Sequence, residues 1–74
     1  MPEEIKLDEA VTRAKSFLAA PESFTWIQLL DLHRFLNSIV DAAVASPLMA
    51  AVESEKIGFL KRARCTALQM LAQP

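Results

Sequence analysis

From Phe24 to Ala45 the apolar positions spread around more of a helix than one neighbour can cover. Leu29, Leu32, Leu36, Ile39 and Ala43 line up at three- and four-residue spacing, the stripe expected at 3.6 residues per turn. Phe35 widens that stripe on one side, while Trp26, Leu30, His33, Val40 and Val44 widen it on the other. The apolar arc reaches roughly 220°, against roughly 100° for an ordinary surface helix. Asp31, Arg34, Ser38 and Asp41 form the water-facing ridge. Such a helix needs cover from two sides, by the rest of the chain or by a second chain.

The boundaries of this element are written locally. Thr25 and Gln28 have capping-box spacing, with Phe24 and Leu29 at the positions where apolar side chains staple a helix start. A helix over 25–45 is therefore predicted, about 30 Å long. Before it, Leu7, Ala10, Val11, Ala14, Phe17 and Leu18 share one face, predicting a helix over about 5–19 that Pro21 ends. Glu3, Glu4, Asp8 and Glu9 lie near its start, where the helix dipole favours negative charge. After the central helix, Ser46-Pro47 reads as an N-cap followed by proline in the first turn. The third helix is expected over about 47–72. Met49, Val52, Phe59, Leu60, Ala63, Ala67, Met70 and Leu71 form its apolar side, extended by Ile57 and Leu68. Glu53 and Lys56 interrupt that side just before Gly58, so a kink or a rotation of the buried face is expected there, with a Glu53–Lys56 pair as the alternative.

The expected fold is all-α. Residues 1–74 form a single small domain, dominated by an antiparallel hairpin of the second and third helices with the first packed across it. The chain holds 53% hydrophobic residues and one glycine, a composition that favours packed helices over disorder. Seventy-four residues bury a smaller share of their surface than a larger domain would. One cysteine excludes an internal disulfide, and one cysteine with one histidine argues against a zinc site. Packing and self-association are what is left, and a dimeric helical bundle is the simplest assembly that buries the surplus apolar arc.

Charge and chemistry narrow the functional classes. A net charge of −1 argues against a general nucleic-acid binder. No segment has signal-peptide character, and the longest uncharged stretch, 42–52, is too short to span a bilayer, so a cytoplasmic protein without a membrane partner is expected. His33 has no carboxylate or nucleophile on its own face, and a hydrogen bond to Asn37 or a backbone carbonyl is its expected role. Cys65 follows Lys61 and Arg62 and adjoins Arg64, yet has no base or second cysteine to make it a reactive thiol. No phosphate loop, paired carboxylate or metal spacing occurs, so neither an enzyme nor a cofactor is expected. Two functional expectations follow. The first is a small adaptor, inhibitor or regulatory subunit that binds protein partners, a second copy among them, through Trp26, Leu29, Leu30, His33, Leu36 and Val40. The alternative is an accessory nucleic-acid or anion contact through Lys61, Arg62 and Arg64.

Overall fold

A computed structural model describes residues 7–73. Leu7, Ala10, Ala14 and Phe17 become the buried stripe of α1 (Leu7–Ala19), flanked by the half-buried Val11 and Leu18. Asp8 and Glu9 stand in its first turn. The expected start near residue 5, with Glu3 and Glu4, lies outside the described residues. Ala20 departs from helical geometry at φ −150° and ψ 67°, and Pro21 opens one 3-10 turn, Pro21–Ser23. Phe24 then sets its ring edge-to-face against Phe17 at 5.2 Å, fixing the connection to α1. Such aromatic pairs contribute about 1 kcal/mol beyond the area they bury.

Thr25 caps α2 (Trp26–Ala45) as its spacing predicts. Its hydroxyl accepts from the Gln28 N–H at 3.2 Å, and its own N–H donates to Gln28 Oε1 at 2.9 Å. Both donors would otherwise lack a partner at the helix start. Ser46 repeats the device for α3 (Pro47–Val52), its hydroxyl accepting from the Met49 N–H, with Pro47 in the first turn.

The expected continuous helix over 47–72 is replaced by two. α3 ends at Val52, Glu53 sits at φ −109° and ψ 28°, and α4 runs Ser54–Ala72. A straight helix would have carried Glu53 and Lys56 into the face that buries Ile57, Leu60, Ala63 and Ala67. The chain turns at Glu53, leaving it outside α4, whereas Lys56 stays on α4 beside that face and pairs with Glu53 at 3.2 Å, so the two expected solutions occur together. Gly58 is ordinary helix.

The core comes from α1, α2 and α4, while α3 buries no residue fully. α2 and α4 make the most extensive contact, and α1 packs more on α4 than on α2. Phe17, Leu32, Leu36, Val40 and Leu60 supply its largest fully buried side chains. Ala10, Ala14, Ala43, Ala63 and Ala67 are sealed completely, and residues this small let helix backbones approach closely. The chain is all-α: the described residues hold no strand, and no helix among them is long and apolar enough to cross a membrane.

Candidate interaction surface on the central helix

α1, α3 and α4 all contact α2, and two of them add a polar contact. On one flank the Arg13 guanidinium of α1 lies 4.3 Å from the centre of the Phe35 ring and 3.8 Å from the Asp31 carboxylate. A cation over a ring face is attracted by its quadrupole. At the α4 side, Arg64 Nη1 donates to Asn37 Oδ1 at 3.1 Å. Asn37 lies between Trp26 and Leu30 around α2, so Arg64 reaches onto a flank whose two ends stay open to solvent. Trp26 there is 60% exposed and Val44 is half exposed, while Leu30 and His33 are partly covered.

The six residues expected to form one surface are divided by the fold. Leu29, Leu36 and Val40 belong to the chain's own core, Val40 being only 2% exposed. Trp26, Leu30 and His33 face outward to differing degrees. The wide apolar arc thus serves two purposes: its centre closes the monomer core, and one edge is left over.

Besides Val44, four apolar residues outside that set are open to solvent. Ile27 is 74% exposed and Leu48 75%, and Val52 and Leu68 are also more than half exposed. Ile27 could have been found from the sequence, since it sits about half a turn around α2 from the buried Leu36. Val52, expected in the core, faces water because the break at Glu53 reorients α3.

The other chemical candidates are dispersed. Asn37, the expected partner of His33, accepts from Arg64 instead, and no hydrogen bond joins His33 to another described residue. The same bond removes Arg64 from the expected basic cluster, leaving Lys61 and Arg62 exposed about 100° apart on α4. Cys65 is an exposed free thiol. No three Asp, Glu, His or Cys side chains gather where they could hold a metal ion among the described residues.

One charged cluster does form, where α1 meets the start of α4. Lys56 Nζ lies 2.8 Å from Asp8 Oδ1 and 3.2 Å from Glu53 Oε2. The Lys56 hydrogen bond, reinforced by its charge, holds the Asp8 carboxyl below its ordinary value. Hydrogen bonds to Asp8 and then Glu53 raise Lys56 in turn. These groups are solvated, so they tie elements together more than they build a reactive site.

The chain matches no protein-family model, no curated protein and no solved structure.

Proposed function

We propose that this protein is a non-enzymatic helical interaction module, a small adaptor, inhibitor or regulatory subunit that acts by burying the free flank of α2 against a protein partner. The observation that carries this reading is the exposure of large apolar side chains, Trp26, Ile27, Val44 and Leu48, along α2 and into α3. Scattered single hydrophobics are normal on a surface, whereas these fall as neighbours at the two ends of α2 and just beyond. Trp26 is the natural anchor, since tryptophan is enriched among residues that dominate interface energetics. Leu30 and His33 border it.

Self-association is the first use to test, because a small chain gains stability by covering such a surface with a copy of itself. Light scattering after size exclusion, over a dilution series, reads this directly. The expected result is a dimer that Leu30→Glu converts into a folded monomer, because a carboxylate at a desolvated contact is costly. Unchanged assembly in Leu30→Glu, with helical content intact, would remove this flank as the contact surface.

The nucleic-acid reading has less support, because Arg64 is engaged by Asn37 and the two other cations diverge.

A further inference from the structure

Among the described residues, α3 is the one α-helix that buries no side chain fully, so the core loses nothing sealed if it lifts away. We infer that residues 46–53 form a strap that opens as a unit while α1, α2 and α4 stay packed, with the Glu53–Lys56 pair as its latch.

The strap is lightly held. Pro47, Leu48, Ala51 and Val52 are exposed, and Met49 is the side chain that packs, half-buried, against the core. Isolated helices shorter than about twelve residues are marginal in water, and α3 has 6. Its cap is the weaker of the two serine and threonine caps: Ser46 accepts from the Met49 N–H at 3.4 Å, against 3.2 Å and a reciprocal bond at Thr25. Few buried apolar contacts and solvent-exposed backbone bonds mark a segment that opens below the free energy of global unfolding.

Hinges stand at both ends. Ser46 has φ −99° and ψ 112°, and Glu53 has φ −109° and ψ 28°, so changes at these two residues move the segment between them. Ala43 and Ile57, the last buried residue of α2 and the first of α4, flank the strap and belong to the core. They keep its two ends in place when it lifts.

The latch lies at the Glu53 end. Lys56 Nζ reaches back to Glu53 Oε2 at 3.2 Å while holding Asp8 Oδ1 of α1 at 2.8 Å, which ties the strap to the corner where α1 meets α4. Residues 42–52 carry no charged side chain, so the strap has no second ion pair of its own before Glu53. On opening, Glu53 leaves Lys56, and Met49 joins Leu48 and Val52 in solvent.

Native-state hydrogen exchange on the full chain, followed by NMR in low urea, tests both parts. The amides of Ala50 and Glu53, bonded to the Ser46 and Met49 carbonyls, report on the strap, and those of Leu36 and Leu60 report on the core. The strap amides are expected to exchange at least about tenfold faster than the core amides and with a smaller urea slope, since their opening exposes little surface. Equal rates with equal slopes would show one cooperative unit and overturn the strap. Glu53→Gln keeps the side chain's size and removes its charge. It should speed strap and core exchange alike, by about two- to fivefold, because both openings break the pair. Faster core exchange with the strap unchanged would mean that Glu53 stays on Lys56 as α3 lifts, and overturns the latch. No change at either set of amides overturns it as well.

Discussion

Gly58 and Ala63 lie five residues apart on α4, and a methyl group added to each meets opposite surroundings. An added Cβ at Gly58 would find nothing within 4 Å, and the residue is already helical. Gly58→Ala should therefore stabilise by about 0.5–1 kcal/mol, mainly by restricting the unfolded chain, and raise the urea midpoint without changing the slope. Ala63 has no exposed surface, so Ala63→Leu should cost about 1–3 kcal/mol in the same assay. The sequence marked the stretch from Glu53 to Gly58 as a place for a kink and Ala63 as a core position. The chain breaks at Glu53 and stays helical through Gly58, because glycine permits a break without compelling one.

At the scale of elements, side chains that reach only three residues were the most legible. Thr25 with Gln28, and Ser46 before Pro47, define helix starts with partners close in sequence, and both caps form. The position of the break was not readable to the residue. Glu53 is neither glycine nor proline, and Lys56, three residues on, finds a second partner in Asp8, 48 residues away on α1. That tertiary contact carries a pH signature. Asp8 titrates below its ordinary value in the folded chain, so its contribution is present above about pH 4 and is lost as pH falls through the lowered native value. Lys56 titrates above its ordinary value, so its contribution is complete below about pH 10.4 and fades as pH rises past the raised native value. Thermal melts of Asp8→Asn, against the parent at about pH 2.5, 7 and 11, should differ most near neutrality and less towards both extremes. Added salt should shrink the difference, since both groups are open to solvent.

For the whole molecule, the core is small and each large side chain in it matters. Leu36 is fully buried, and Leu36→Ala should cost about 2–5 kcal/mol, comparable to the whole stability of a domain this short. Circular dichroism of that variant at 25 °C should show substantial loss of helix. The surplus apolar arc on α2 was legible as an excess, but its division was not. Periodicity alone placed Val40 and Trp26 on the same side, and only the positions of α1 and α4 show that one is sealed and the other free. The contacts of α4 also bear on how the helices keep their alignment. Leu60, fully buried, is preceded by Lys56 and followed by Arg64, each four residues away and each bonded to a different helix. If α4 slid by one turn, about 5.4 Å, one of Ala63 and Ala67 would take the other's place, but Phe59 or Leu71 would be driven into the remaining sealed alanine slot. Sliding either way would push a cation into the slot of Leu60, and a buried charge without a partner costs several kcal/mol. The alanines key α4 into one position against its neighbours, and the two cations act as stops on either side of it.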